Sequence, residues 1–264
     1  MVQLATEKLS ISYGSADIVK GLDLEIPEGK VTTVIGPNGC GKSTILKTMA
    51  RIHASKSGAI YLDGRAIHKE STKTIAKKMA ILPQTPEAPN GLTVAELVSY
   101  GRFPHQKGFG KLTKEDRQMV KWALEVTGMI DYQERPIDAL SGGQRQRVWI
   151  AMALAQDTDL LLLDEPTTYL DLAHQLEILQ LLERLNKEQG RTIVMVIHDL
   201  NHAARFADHM VALNKGTIIK EGTPKQVMTS DVLRDVFHID AEVVTDPRTH
   251  KPVCVTYDLV GQLG

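Results

Sequence analysis

Nine residues near the N-terminus, Gly36-Pro37-Asn38-Gly39-Cys40-Gly41-Lys42-Ser43-Thr44, limit what this chain can become more than any other segment. The string fits the phosphate-cradling pattern G-x-x-x-x-G-K-[ST]. It follows a short apolar strand, Val31–Ile35, and precedes a run in which Ile45, Leu46 and Met49 are spaced to bury one helix face. Such a loop works by bringing backbone N–H groups onto phosphate oxygens. Glycine permits the close approach, and the positive end of the following helix favours the anion. Asn38, Gly39, Cys40, Gly41 and Thr44 are thus candidate phosphate-lining residues. Lys42 is expected to reach the β- and γ-phosphates, and the Ser43 hydroxyl to ligate Mg²⁺.

Two further strings add chemistry. Leu160-Leu161-Leu162-Leu163-Asp164-Glu165 is an apolar strand ending in two acids. Asp164 is the candidate Mg²⁺ holder, and Glu165 the group that orients or deprotonates an attacking water. Ligands of parallel α/β sheets bind beyond the carboxyl ends of the strands, and Gly36, Asp164 and His198 each lie just past such an end. One nucleotide could therefore touch all three. Leu140-Ser141-Gly142-Gly143-Gln144 then leads into a helix over 145–156. Ser141 is a good N-cap, and the glycines expose donors at the positive helix end. This makes a second phosphate-binding surface, far along the chain from the first, and a dimer is the natural way to bring both onto one nucleotide.

The remaining pattern predicts an α/β fold. Ile11-Ser12-Tyr13 and residues 22–26 read as strands, with a turn at Pro27-Glu28-Gly29 and a β section at 59–63 closed by the hairpin turn Asp63-Gly64. After the strand Met79–Leu82, residues 93–156 are helical in period, with loops at 101–110 and 132–140. An amphipathic helix over 174–189 stops at Gly190, and 192–197 is a buried strand. The tail is expected to hold one helix over 225–237 and two strands flanking a hairpin loop at 246–251. The expectation is one domain, 1–264: a P-loop NTPase core (1–85 and 158–224) with an N-terminal antiparallel β section, an inserted helical lobe (86–157) and a short extension (225–264).

Charge narrows the function. Basic residues number 31 against 32 acidic ones, without blocks of one sign, which argues against a nucleic-acid partner. No apolar run approaches the roughly 20 residues that span a bilayer, and the first ten residues lack the apolar stretch of a secretory signal. The chain is expected in the cytosol, borrowing any membrane span from a partner. Cys40 and Cys254 form no disulfide framework and are expected as reduced thiols. Because Cys40 lies within the phosphate loop, its alkylation is expected to obstruct the site and ATP to protect it.

Taken in order from Tyr13 to His198, these motifs resemble the ATPase subunit of ATP-binding cassette (ABC) transporters. The resemblance implies a head-to-tail dimer of two copies with two ATP molecules, each held with Mg²⁺ between one copy's P-loop and the other's segment 140–144. It implies transmembrane permease subunits, an extracytoplasmic substrate-binding protein, and a peripheral place on the cytoplasmic face of the membrane. Tyr13 stands where the family stacks an aromatic ring on adenine. Gln84 matches the glutamine that touches Mg²⁺ and senses the permease, His198 the histidine at the γ-phosphate, and Asp171 the loop that communicates across the dimer. Thr168-Tyr169 departs from the commoner Ser-Ala. Together with Leu170-Asp171 and His174-Gln175, it is similar to importers of ferric siderophores, haem and cobalamin, and 100–105 (Tyr-Gly-Arg-Phe-Pro-His) is similar to the iron–siderophore branch. A soluble ABC ATPase of translation or DNA repair would need two cassettes or a coiled-coil insert. A P-loop kinase has no use for 140–144, and exporters commonly fuse the cassette to membrane spans. An ATP-driven importer of ferric siderophore is therefore expected, with haem, cobalamin or another solute left open.

Overall fold

A computed structural model describes residues 2–14, 16–106, 111–168 and 170–261. They form two compact units, Met1–Lys69 with Thr192–Gly264, and Glu70–Arg191.

The first unit opens with two long antiparallel strands, β1 (Val2–Tyr13) and β2 (Ala16–Pro27). Over residues 22–26 of β2 the alternation is strict: Leu22, Leu24 and Ile26 face in, while Asp23 and Glu25 face out. In β1 the buried set switches from Leu4 and Thr6 to Leu9 and Ile11. The switch falls at Lys8, whose φ of 45° marks a bulge and whose N–H donates to Asp23 Oδ1 (2.7 Å). β3 (Val31–Ile35) is buried along its whole length, as a central strand must be. It feeds α1 (Lys42–Met49), which buries Ile45, Leu46 and Met49. β4 (Ser57–Leu62) pairs with β1 and turns through Asp63 (φ 50°) and Gly64 (φ 73°) into β5 (Arg65–Ala66). Two successive positive φ values are what the predicted hairpin turn demands.

The second unit begins with α2 (Thr72–Ala76) and β6 (Met79–Leu82), and its helical part is built on capping boxes. Thr93 and Glu96 start α3 (Val94–Ser99), Thr113 and Asp116 start α4 (Lys114–Val126), and Ser141 and Gln144 start α5 (Gly142–Ala155). α5 packs against both α3 and α4; its second half buries Val148 to Ala151 and Ala153 to Ala155 and is apolar on nearly every side. β7 (Leu160–Asp164) runs parallel to β6 and is wholly buried. α6 (Leu172–Gln189) starts on Asp171 and stops at Gly190, whose φ is 67°.

The chain then completes the first unit. β8 (Thr192–Val196) pairs parallel with β3. α7 (Leu200–Phe206) leads to β9 (His209–Asn214), parallel to β3 on its other side, and β10 (Thr217–Gly222) pairs antiparallel with β9. The tail departs from the expected single helix: α8 (Pro224–Val227) and α9 (Ser230–Phe237) are separate. Met228 is buried between them, and the Thr229 hydroxyl accepts from Val232 N–H to start α9 afresh. β11 (Ile239–Thr245) and β12 (Pro252–Leu259) form the expected hairpin. The Asn201 amide closes one edge of it, bonding both N–H and C=O of Cys254 at 2.8 and 3.1 Å.

A second departure concerns 101–110. Residues Tyr100–His105 form a 3₁₀ helix rather than a loop, and 107–110 lie outside the described residues, as does Tyr169. In that 3₁₀ helix Gly101 presses on α5, where a Cβ would meet Met152 O at 2.3 Å. Arg102 donates to Asp116 Oδ1 and Ala155 O, both at 2.8 Å, and His105 Nε2 bonds Gln156 O at 2.8 Å. These three residues fasten the 3₁₀ helix to α4 and the end of α5.

Candidate nucleotide site

In the first unit, strand register sets the site. Val34 pairs with Val196, so Gly36 and His198 each stand two residues past level positions on adjacent parallel strands. Between β3 and α1 the chain needs left-handed or extended turns, supplied by Gly36 (φ 154°), Gly39 (φ 75°) and Gly41 (φ 106°). Asn38 and Gly39 are exposed at the crest, while Ser43 and Thr44 are half-buried on the first turn of α1. Lys42 is only 6% exposed, and its ammonium donates to Gly36 O (2.8 Å) and Pro37 O (3.0 Å). Neutral carbonyls solvate this cation without cancelling its charge. Beside the helix N-terminus, that makes an electropositive seat for phosphate.

The loop rests on a support that sequence reading missed. Gly216, in the β9–β10 turn, donates its N–H to Cys40 O (2.9 Å), and a Cβ on it would meet Ile18 O at 1.9 Å. A Cβ on Gly36 would meet Leu213 O at 2.3 Å and Cys40 Sγ at 2.8 Å. Only the glycine-rich turn Lys215-Gly216 after an apolar strand hinted at this in the sequence.

Cys40 thus points under the loop, 4% exposed, rather than onto the phosphate surface. Burial pushes its thiol above the usual range, against a smaller opposing pull from Lys42. Alkylation, expected to obstruct the site, is therefore slow at this buried thiol, since the thiolate is the nucleophile. Iodoacetamide at pH 7 is expected to modify Cys40 at least ~10-fold more slowly in the folded chain than in urea. Equal rates, followed by mass spectrometry, would show an open thiol.

Tyr13 sits half-exposed at the end of β1. Its hydroxyl is hydrogen-bonded to His53 Nε2, and the two rings meet edge-on with centroids 4.4 Å apart. His53 holds the Tyr13 ring in place and carried no signal in the sequence.

In the second unit the same register logic recurs. Leu82 pairs with Leu163, so Gln84 and Glu165 each lie two residues beyond level positions. Gln84 Nε2 donates to Glu165 Oε2 at 2.7 Å. The Thr168 hydroxyl donates to the same oxygen at 2.9 Å. Glu165 is 7% exposed and adopts φ 54°, unusual for a residue with a side chain. Asp164, buried, ends β7. The following turn is braced from both sides: Gln146 Nε2 of α5 donates to Pro166 O, and Gln175 Nε2 of α6 to Leu170 O, each at 2.9 Å.

Segment 140–144 leads into α5, with Leu140 buried and Ser141 and Gly142 exposed at the helix start. Ser141 and Gln144 cap it reciprocally (3.1 and 3.3 Å), Gly142 is open to solvent, and a Cβ on Gly143 would touch the His174 ring at 3.4 Å. Gln144 therefore uses its side chain to hold the helix start. Asp171 caps α6, accepting from His174 N–H (2.9 Å) and bonding its Nδ1 (2.8 Å), and these bonds hold its carboxyl below the usual carboxylate range. Ser43 in the first unit offers a hydroxyl oxygen and Asp164 in the second a carboxylate, each a hard donor of the kind that suits Mg²⁺.

The family profile described as ABC transporter matches residues 19–168. The chain is 75% identical over 260 residues to the iron(3+)-hydroxamate import ATP-binding protein of Bacillus subtilis (strain 168), covering 98% of this chain and 97% of that one. Among solved structures it is similar to an inward-facing ABC transporter described as of metal-chelate type. There the TM-score is 0.82, with 31% identity and 96% of each chain covered. It is also similar to a dimeric bacterial ABC transporter cassette, with TM-score 0.75, 30% identity, and 83% of this chain and 98% of that one covered. The β section, P-loop core and helical part described above are the architecture these structures share.

Proposed function

The chain belongs to the ABC transporter family, and from that membership we propose that it is the ATP-hydrolysing subunit of an importer for iron(III)–siderophore complexes. The observation that carries the ATPase reading is the buried Lys42 ammonium, solvated by two loop carbonyls at the N-terminus of α1. Phosphate oxygens are better partners for that cation than neutral carbonyls are. The cargo reading rests on the iron(3+)-hydroxamate import ATP-binding protein, to which the chain is 75% identical over 260 residues.

In the proposed cycle the P-loop N–H groups from Asn38 to Thr44 and Lys42 hold the β- and γ-phosphates, and Tyr13 stacks on adenine. Ser43, Asp164 and Gln84 would hold Mg²⁺, which would neutralise phosphate charge when bound. Glu165 accepts a proton from water as the water oxygen attacks the γ-phosphorus. The bond to the bridging oxygen breaks, ADP leaves with that electron pair, and Lys42 stabilises the charge. His198 contacts the γ-phosphate. A second copy supplies Ser141, Gly142, Gly143 and Gln144 to the same nucleotide, head to tail, with Asp171 communicating between copies. The exposed, glycine-rich start of α5 supports this, since it leaves a helix N-terminus open to an anion.

Among the described residues no helix is long and apolar enough to cross a membrane. The membrane path is therefore assigned to permease subunits, fed by an extracytoplasmic binding protein, with this chain on the cytoplasmic face. Within it, 1–85 and 158–224 act as the core, 86–157 as the lobe that meets permease and second copy, and 225–264 as an extension. Uptake of ⁵⁵Fe-labelled hydroxamate siderophore is expected to be lost in cells lacking the chain and restored by the wild type but not by Glu165→Gln. Normal uptake without the chain would remove the cargo assignment and leave haem, cobalamin or another solute.

A further inference from the structure

We propose that Thr168 is a positioning residue for the general base: its hydroxyl, together with the Gln84 amide, fixes the rotamer from which Glu165 takes its proton. The inference rests on the role proposed for Glu165. The geometry is local and doubly tied. Thr168 N–H donates to Glu165 O (3.2 Å), closing a tight turn after β7, and Thr168 Oγ1 donates to Glu165 Oε2 (2.9 Å). Backbone and side chain of one residue thus both return to the acid. Gln84 Nε2 reaches the same oxygen from the parallel neighbour β6 at 2.7 Å. Two donors converging from different directions on one carboxylate oxygen leave little freedom about the terminal torsion, which is otherwise broad for glutamate.

The two donors are not equivalent in their supports. Gln84 stands on a short stretch after β6, just before the 86–157 lobe assigned to meet the permease, whereas Thr168 lies in a turn braced by Gln146 and Gln175. Thr168 therefore provides the fixed point, and Gln84 the one that can be withdrawn. A hydroxyl at 168 is what this needs. Serine supplies it and valine, of the same shape, does not.

The test is steady-state ATP hydrolysis by the full chain assembled with its permease. Thr168→Val is expected to lower kcat on the order of 10-fold with KM for ATP within about two-fold of wild type, the size expected for one hydrogen bond to a charged group. Thr168→Ser is expected to restore kcat, and Thr168→Ala to repeat the loss should valine pack badly. In a Glu165→Gln background Thr168→Val is expected to cost nothing further, because a group acting through Glu165 has nothing left to position. An unchanged kcat in Thr168→Val overturns the inference while leaving Glu165 in its role. So does an equal loss in both backgrounds. Near-wild-type turnover in Glu165→Gln alone would remove the base, and this inference with it.

Discussion

Glu165→Gln is expected to bind ATP normally and to lose at least ~10²-fold in turnover, the scale for loss of a general base. The substitution is close to isosteric, and the new side-chain oxygen can still accept from Gln84 Nε2 and Thr168 Oγ1, so the two hydrogen bonds at 2.7 and 2.9 Å need not be lost. What disappears is the ability to take a proton from the attacking water. Binding depends on Lys42 and the P-loop N–H groups, which the change does not touch. The check is phosphate release against equilibrium binding of a fluorescent ATP analogue. Turnover near wild type would dismiss Glu165 from its role, and loss of binding would show that the substitution damages the site rather than the chemistry.

Arg102→Leu is expected to destabilise the fold by about 3–5 kcal/mol, the scale for breaking one side of a buried ion pair. Asp116 is 2% exposed and would keep its charge with only Thr113 as a donor among the described contacts. Burial alone would raise its pKa, but the Arg102 guanidinium and the Thr113 donors more than offset this and hold the carboxyl below its usual range. A depressed carboxyl contributes stability above its unfolded pKa and loses it as pH falls through the folded value. Chemical denaturation at neutral pH should therefore show the full deficit, and the deficit should shrink on acidification as Asp116 protonates. Asp116→Asn added to Arg102→Leu should recover part of the loss. A deficit below about 1 kcal/mol at pH 7 would mean water reaches Asp116 and replaces the guanidinium.

That pair also shows where sequence reading reached its end. The string at 100–105 read as a marker of cargo class; that Gly101, Arg102 and His105 also fasten a 3₁₀ helix to α4 and α5 carried no local signal. The P-loop was legible because glycine placement, an apolar strand and a helical period agreed over a dozen residues. The second half of β1 was legible and its first half was not: the bulge at Lys8 inverts the alternation, so no single period runs from Val2 to Tyr13. The break between α8 and α9 was hidden because an apolar Met228 keeps the helical pattern going while Thr229 starts a new helix. The hydrogen bond from Gln84 to Glu165 needs the β6–β7 register, which no local pattern encodes. Tyr13 could be matched to a role, whereas His53 could be found only through the fold.

The bracing of the phosphate loop bears on how such a loop could be moved to another protein. Nine residues are its signature, but its shape is also written in Gly216, which bonds Cys40 O, and in Leu213, whose carbonyl leaves no room beside Gly36. A transplant of 36–44 alone would carry the lettering without the floor beneath it. The smallest portable piece is three-part: the loop with its helix, the β9–β10 turn, and the stretch of β2 at Ile18 against which that turn is wedged. Discontinuous in the chain and contiguous in space, it is the unit a protein engineer would have to lift whole.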